Sequence, residues 1–199
     1  MGPSTLDAVR RALAAVAPAR LPQPLPRRSA VALVLREGGP GLEALLIRRA
    51  ERAGDPWSGH MAFPGGRADP EEPLVATAVR ETAEEVGLDL AREATLLGRL
   101  DEIQAVGRGR ALGLSIQPFV FGLESEPGPL RLSGEVASAH WLPVRALLDP
   151  ANLAPFPYEH EGVVLELPSQ RVGDLVIWGL TFRMLQAFAE VVGAAPVAR

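Results

Sequence analysis

Three glutamates spaced for one face of a helix are the residues of this sequence best suited to chemistry. Glu81, Glu84 and Glu85 lie within one short segment, and at about 100° per residue their side chains fall within a sector about 100° wide. Carboxylate oxygens are ligands that Mg²⁺ prefers, and a bound cation would relieve the repulsion among these like charges. The trio predicts a divalent-cation site beside a phosphate chain. Taken alone, it is equally consistent with a solvated acidic helix face.

The helix that must position the trio is predicted over residues 73–86. Pro73 suits a first helical turn, acidic Glu71 and Glu72 suit a helix N-terminus, and Gly87 suits a left-handed stop. The opposite side of the helical wheel is apolar and predicts a back that packs on a sheet, with the three carboxylates pointing outward together. Its residues are Val75, Val79, Ala83 and Val86.

The spacing around the trio resembles the signature motif of the Nudix hydrolase family. The matching positions are Gly66, Glu72, Arg80-Glu81, Glu84-Glu85, Gly87 and Leu88. Every charged position of the motif is present, and Thr82 stands where the family usually has an aliphatic residue. The resemblance implies an α/β fold, an α/β/α sandwich around a central mixed β-sheet.

The same resemblance implies roles for individual residues. Glu81, Glu84 and Glu85 would be metal ligands for Mg²⁺ or Mn²⁺, Gly66 would offer its backbone carbonyl to a metal, and Arg80 would orient the glutamates through an ion pair. Glu72 would support the geometry of the loop and helix. A metal-activated water would attack a phosphorus of a diphosphate.

Further segments resemble the coenzyme A pyrophosphatase branch of that family. They are Leu45-Leu46-Ile47-Arg48-Arg49, Gly59, Phe63-Pro64-Gly65-Gly66 and Ile177-Trp178-Gly179-Leu180-Thr181. The chain departs from the branch at Ile47, Ala50 and His60 and in the 107–110 loop. The branch implies cleavage of coenzyme A or a derivative to 3′,5′-ADP and 4′-phosphopantetheine.

Two alternatives to coenzyme A hydrolysis stay open. The substrate could instead be ADP-ribose, another nucleoside diphosphate derivative or a capped RNA end. A non-catalytic nucleotide-sensing module on the same fold would be expected to lack some of the motif glutamates, and all are present.

Candidate phosphate-binding residues and the general base lie around the motif. Guanidinium groups match phosphate oxygens, and the candidates are Arg49, Arg67, Arg48, Arg108 and Arg110. The base that takes the proton of the attacking water stays open. Its candidates are Glu81, Glu84, Glu102, Glu124, Glu126, Glu159 and Glu161. His60, His140 and His160 are too scattered for metal-ligand spacing, and Trp141 is interpreted as core packing.

The remaining pattern predicts the elements that carry these residues. Residues 1–28 are predicted to form a helix and a Pro-rich connector that pack on the core. The helix is predicted over 4–17, with Ser4 and Asp7 at capping-box spacing. Residues 29–199 are predicted to form a single domain. Strands are predicted at 29–36, 42–48, 60–63, 96–103, 114–121 and 139–142, with a hairpin between the first two. Helices are predicted at 144–148 and 178–192, and a loop at 151–162.

Composition limits the partners. There are no cysteines, which excludes disulfides and thiolate metal ligands, and the net charge of −4 disfavours nucleic acid. No segment approaches the roughly 20 apolar residues of a membrane span, and the N-terminus lacks a secretion-signal pattern. The expectation is a cytoplasmic protein that binds a small nucleoside diphosphate derivative and no membrane; whether it forms a homodimer stays open.

Overall fold

A computed structural model describes residues 3–54, 57–107, 110–160 and 162–194 of the chain. The helices of this part are α1 (Leu6–Ala14), α2 (Leu74–Val86), α3 (Leu90–Glu93), α4 (Val144–Leu147) and α5 (Gly179–Val191), with a 3₁₀ turn at Pro150–Asn152. The strands are β1 (Arg27–Gly38), β2 (Gly41–Arg49), β3 (Met61–Ala62), β4 (Gly65–Arg67), β5 (Ala94–Arg99), β6 (Ile103–Gly107), β7 (Arg110–Leu123), β8 (Val136–Pro143), β9 (Leu153–His160), β10 (Val163–Val172) and β11 (Leu175–Trp178). In these ranges, no helix combines the length and the hydropathy that a membrane span requires.

The main sheet is mixed. Its strands run in the order β3-β2-β1-β7-β5, while β4 pairs with β1, β6 with β7 and β8 with β2. β1 runs parallel to β7, and the other pairs are antiparallel. The predicted hairpin is confirmed, because β1 and β2 pair up to Gly38 and Gly41.

Alternation along the buried strand β1 sends side chains to two separate apolar layers. Ala32 and Val34 pack on one face with Ala78 and Val86 of α2. Leu33 and Leu35 pack on the other face, in a second apolar layer. That layer includes Val9 and Leu13 of α1, Leu147 of α4, and Met184, Leu185 and Phe188 of α5. Helices therefore cover both faces of a mixed sheet, and the predicted α/β/α sandwich is confirmed.

The N-terminal helix is shorter than predicted and begins one residue later than the Ser4 cap implied. The Thr5 side chain caps α1 by accepting a hydrogen bond from the Ala8 N–H at 3.3 Å. The connector that follows is fixed by its backbone, since the Ala19 N–H donates to Asp101 at 2.7 Å. β1 begins at Arg27, two residues before the predicted boundary. The division into residues 1–28 and 29–199 stays a proposal.

The predicted loop at 151–162 is wrong, because this segment contains β9. With β10 and β11 it forms a three-stranded antiparallel sheet in the order β11-β10-β9. Pro155 and Pro157 lie on β9, an edge strand, where a missing N–H is tolerated. The prolines and the short apolar run concealed the strand in the sequence.

Candidate active site

The helix carrying the glutamates is α2, close to its predicted bounds. Pro73 is the N-cap in an extended conformation, and Gly87 ends the helix with a φ of 72° in the left-handed region. That conformation favours glycine, so the predicted stop signal is confirmed.

The phase of α2 differs from the prediction. Its buried side chains are Thr77, Ala78, Thr82, Glu85 and Val86, whereas Ala83 is exposed. The inward face is therefore rotated toward the glutamates. The expectation that all three carboxylates point outward is wrong: Glu85 lies under the helix, Glu81 at its edge, and Glu84 in solvent with a side chain 59% exposed.

Glu85 is buried and is held by the glycine loop. Only 4% of the residue is exposed, and its Oε2 accepts the Gly65 N–H at 2.9 Å. Burial raises the pKa of Glu85 to about 7, against the lowering effects of the Gly65 hydrogen bond and the Arg49 charge. A carboxylate in this position favours a neighbouring cation, because a positive charge would offset the cost of burying it.

Glu81 lies directly against Gly66. A Cβ atom on Gly66 would lie 2.4 Å from the Glu81 carboxyl carbon, so only glycine leaves room for that carboxylate. Burial also raises the pKa of Glu81, although Arg80 opposes the shift. The predicted pair Gly66 and Glu81 therefore meet in the structure.

Arg80 ties the helix to the loop before it. Its Nε and Nη2 donate to the two carboxylate oxygens of Glu72 at 3.0 and 3.1 Å. Its Nη1 donates to Glu81 at 3.0 Å and to Glu84 at 3.3 Å, and Nη2 also donates to the Arg67 carbonyl at 3.1 Å. Such a fork of charge-assisted bonds fixes orientation as well as distance. The ion pair between Arg80 and the glutamates is present as the resemblance implied.

Glu72 is held in turn by its own neighbours. Besides Arg80, it accepts the Thr77 hydroxyl at 2.8 Å and the Asp69 N–H at 3.1 Å. The Arg80 hydrogen bond, followed by those of Asp69 and Thr77, lowers the pKa of Glu72 to about 2. Glu72 therefore remains an anion that anchors Arg80 throughout the physiological pH range.

The predicted arginines separate onto different faces. Arg49 is close enough to Glu85 for its charge to lower the pKa of that carboxyl. Arg48 precedes Arg49 in β2, so the Arg48 side chain points to the opposite face of the strand. On that face burial lowers the pKa of His140, and the charge of Arg48 lowers it further. The structure does not bring Arg48 to the glutamates. Arg67 is exposed in β4, with its carbonyl on Arg80.

Glu135 is a residue of this site that the sequence did not single out. Its negative charge raises the pKa of both Glu81 and Glu85, which places it near them. Its side chain is 53% exposed and pairs with Arg52 at 3.1 Å. Its carbonyl accepts the Ala50 N–H at 2.8 Å. Glu135 lies about 50 positions after Glu85 in the chain, and the pairing of β2 with β8 brings the two close together. Helical spacing could not reveal a contact of this kind.

Other candidate bases are engaged elsewhere. Glu102 accepts the Leu21 N–H of the connector at 3.1 Å, and Glu124 accepts the Thr95 hydroxyl at 2.6 Å. Glu126 pairs with Arg36. Arg108 and Glu161 lie outside the described residues, as do the side chains of Arg110 and His160. Glu159 is exposed in β9.

The other histidines and Trp141 have structural contacts. His140 and Ser138 are 2.8 Å apart at Nε2 and Oγ, and the His60 ring packs on Trp178. Trp141 packs against the apolar layer beneath α2, with the Arg36 guanidinium 4.4 Å from its ring centroid. The interpretation of Trp141 as core packing is confirmed.

The oxygen donors of this site suit a hard divalent cation. In the part of the chain that the structure describes, no three acidic, histidine or cysteine side chains converge tightly enough to enclose a metal by themselves. Mg²⁺ rarely needs such a cage, since it is usually held by one or two carboxylates together with waters and substrate phosphates. Two carboxyls with pKa values raised by burial, beside a glycine loop, fit that demand.

Comparisons with known proteins agree with this geometry. The NUDIX domain family model matches residues 25–161. An uncharacterised Nudix hydrolase, NudL, of Yersinia pestis is 31% identical over 152 residues, which are 74% of this chain and 71% of that protein. An uncharacterised protein of Schizosaccharomyces pombe is 45% identical over 109 residues, which are 53% of this chain but only 33% of that protein.

A solved structure supports the fold. The crystal structure of a MutT/nudix family protein from Enterococcus faecalis aligns with a TM-score of 0.53 at 19% identity and covers 96% of this chain and 70% of that chain.

Proposed function

Because the chain belongs to the Nudix hydrolase family and is a pyrophosphatase of that family, we propose that it cleaves the diphosphate of coenzyme A or its derivatives. The products are 3′,5′-ADP and 4′-phosphopantetheine, and the cofactor is Mg²⁺ or Mn²⁺. We further propose a cytoplasmic location and leave a homodimer as one assembly state to be tested.

One observation carries the choice of substrate. The segments that resemble the coenzyme A pyrophosphatase branch lie in two stretches of the chain more than 100 positions apart. Trp178 and Thr181 of the second stretch contact residues 60 and 61, which lie between the Gly59 and Phe63 segments of the first. The Thr181 hydroxyl donates to the Met61 carbonyl at 3.0 Å, and the rings of His60 and Trp178 lie 4.5 Å apart between centroids. Met61 and His60 thus connect the two stretches beside the glycine loop, which supports a substrate site that both stretches share, although His60 is itself a position where the chain departs from the branch.

The proposed mechanism assigns the cation to Glu81, Glu84 and Glu85, together with the Gly66 carbonyl. When bound, it would polarise phosphate oxygens and lower the pKa of a coordinated water. Arg80 keeps Glu81 and Glu84 in place through the contacts described above.

The remaining roles fall to arginine and glutamate side chains around this group. Arg49, at the buried glutamate, and the exposed Arg67 bind the diphosphate. A carboxylate takes the proton as the water oxygen bonds to phosphorus and the bond from phosphorus to the bridging oxygen breaks. Glu81 and Glu84 are candidates for this base, and the position of Glu135 adds it to them.

A substrate panel tests the proposal. Coenzyme A, its acyl and oxidised forms, ADP-ribose, other nucleoside diphosphate derivatives and a capped RNA would each be incubated with the protein and Mg²⁺. We expect the highest kcat/KM for coenzyme A or a derivative, with 3′,5′-ADP identified by chromatography. If all coenzyme A forms stay intact while another compound is cleaved, the substrate assignment is wrong.

A further inference from the structure

The three-stranded sheet has one face built from apolar side chains. Register partners in antiparallel strands point to the same side, so Tyr158 shares a face with Leu165, and Phe156 shares it with Leu167. Trp178, opposite Ser169, belongs to the same face. We call the following set the apolar face. Its residues are Phe156, Tyr158, Val163, Leu165, Leu167 and Trp178.

The rings of this face contact one another at its inner end. Trp178 stacks on Phe156 with 4.6 Å between ring centroids, and Tyr158 lies 5.3 Å away. Neither these three residues nor Leu165 belongs to the two buried apolar layers. The outer end is open to solvent, with Val163 58% and Leu165 45% exposed. Folding of the described chain does not account for this surface, which suggests that it binds something apolar.

The inner end of the apolar face is continuous with the candidate active site. The His60 ring lies against Trp178, and the His60 carbonyl accepts the Arg49 N–H at 3.0 Å. Arg49 acts on Glu85, and Gly65 follows His60 by five residues, a span of at most about 18 Å. A substrate held at the glutamates can therefore extend along this face.

The chemistry of the face selects one part of such a substrate. Between Trp178 and Val163 its described side chains carry no charge, whereas Glu159 and Glu166 occupy the other side of the same hairpin. Arg171 is on this side of the sheet but lies beyond Trp178, opposite Val176. Along the stretch from Trp178 to Val163, a phosphorylated nucleoside would therefore find no cationic partner among the described side chains. An extended, uncharged chain is complementary to an elongated strip of aliphatic and aromatic groups.

We propose that the apolar face binds the pantetheine arm of the substrate and an acyl group attached to its thiol. The protein would then prefer acyl thioesters of coenzyme A over the free thiol. This inference rests on the proposed function, and it assigns substrate selection to residues of β9 and β10 that lie away from the glutamates.

The test uses Leu165→Asp with Val164→Asp as its matched control. Both positions lie on β10 and are exposed, but Val164 points to the opposite side, where it faces Glu159. A probe without phosphate, S-octanoyl-pantetheine, separates binding on this face from catalysis. Its affinity for the full chain would be measured by calorimetry, beside kcat/KM for octanoyl-coenzyme A and coenzyme A.

We expect the wild-type protein to bind the octanoyl probe at least about 10-fold more tightly than pantetheine, since each well-buried methylene can contribute up to about 4-fold. Leu165→Asp should lower this binding preference about 10-fold. It should lower the ratio of kcat/KM for octanoyl-coenzyme A to kcat/KM for coenzyme A by a similar factor. Val164→Asp should change either quantity less than about 2-fold. Thermal unfolding of both variants checks that the fold is retained.

Different results separate the two proposals. If coenzyme A is cleaved but the probe binds wild type and Leu165→Asp equally, the apolar face is not the acyl site. If Leu165→Asp changes only the sedimentation of the protein, the face is a contact between two copies, and the inference is likewise overturned. If no coenzyme A is cleaved but the probe binds and Leu165→Asp releases it, the proposed function fails while the apolar binding face stands.

Discussion

The glycine loop with α2 (residues 65–87) and the three-stranded sheet (residues 153–178) hold their side chains in different ways. In the first, charge-assisted hydrogen bonds link Glu72, Arg80 and Glu81, and each carboxylate has a fixed neighbour. In the second, aromatic and aliphatic groups share a face that is open at one end. The family match spans the first region and ends near the tip of the second, at residue 161. Under the two proposals above, the common chemistry would belong to the polar network and the choice of substrate to the apolar face.

Glu85→Gln is the most severe test of the polar region. The amide keeps an oxygen for the Gly65 N–H but loses the charge that would face a cation. We expect kcat with Mg²⁺ to fall on the order of 10³-fold. The preference for binding S-octanoyl-pantetheine over pantetheine should not change. A variant with near-normal turnover would refute the metal role of Glu85.

Glu85→Gln should also change how the stability of the metal-free protein depends on pH. The folded pKa of about 7 lies above the reference value of 4.5, so the folded state binds the proton more tightly and stability falls as pH rises from about 4.5 to 7. Above pH 7 the wild type carries the full cost of the buried charge. Glu85→Gln should then be more stable by at most about 3 kcal/mol, a difference that disappears below pH 4.5. Denaturant unfolding with a chelator present measures it.

Gly66→Ala tests how closely the polar region is packed. The new Cβ would lie 2.4 Å from the Glu81 carboxyl carbon, so the carboxylate must move. A displacement of this order is expected to lower kcat about 10²-fold. Gly128→Ala is the control, because its Cβ would meet nothing within 4 Å. Equal activity of the two variants would show that catalysis does not require the Glu81 carboxylate to be held in this position.

Glu72→Gln weakens the anchor of Arg80 and leaves unchanged the three glutamates that we propose hold the cation. We expect a loss of about 10-fold in kcat/KM, and Glu71→Gln in the same loop should change it less than about 2-fold. Because the folded pKa of Glu72 is about 2, its contribution to stability is present above pH 4.5 and is lost as pH falls toward 2. Stability curves of wild type and Glu72→Gln should converge over that range; parallel curves would exclude the anchoring role.

Thr181→Val tests the contact between α5, which follows the three-stranded sheet in the chain, and β3, which precedes the glycine loop. It removes the hydroxyl that donates to the Met61 carbonyl and leaves that carbonyl without this donor. The expected cost is about 1 to 3 kcal/mol of unfolding free energy, with kcat changed less than about 2-fold. Thr95→Val, whose hydroxyl bonds an exposed glutamate, should cost under about 0.5 kcal/mol. Similar losses of unfolding free energy in both variants would mean that this contact between α5 and β3 contributes little to stability.

Sequence reasoning located the polar region because its signals are local. The glycines, Pro73 and the charged positions lie within 23 residues, and the helix bounds followed from them. The ion pair of Arg80 was implied by the family resemblance that these positions carry. The phase of α2 was wrong because a wheel built on Val, Ala and Glu types assigned Glu85 to solvent. The structure instead buries it beside Thr82, where Gly65 and Arg49 compensate its carboxylate.

Long-range contacts account for what the sequence did not reveal. Glu135 reaches the site through strand pairing, and Arg48 and Arg49 separate because neighbouring side chains in a strand alternate. β9 was missed because Pro155 and Pro157 are typical of loops, and only its place at a sheet edge makes them compatible with a strand.

Those prolines bear on how the protein behaves at high concentration. Pro155 lies opposite Pro168, and two prolines cannot exchange N–H bonds, so the backbone nitrogens of Pro155 and Pro157 point to the free edge of the sheet. An edge without these donors is a poor template for strand addition by another chain. The exposed Leu165 and Val163 can therefore remain available to a small ligand while this edge of the sheet resists the strand addition that seeds fibrils.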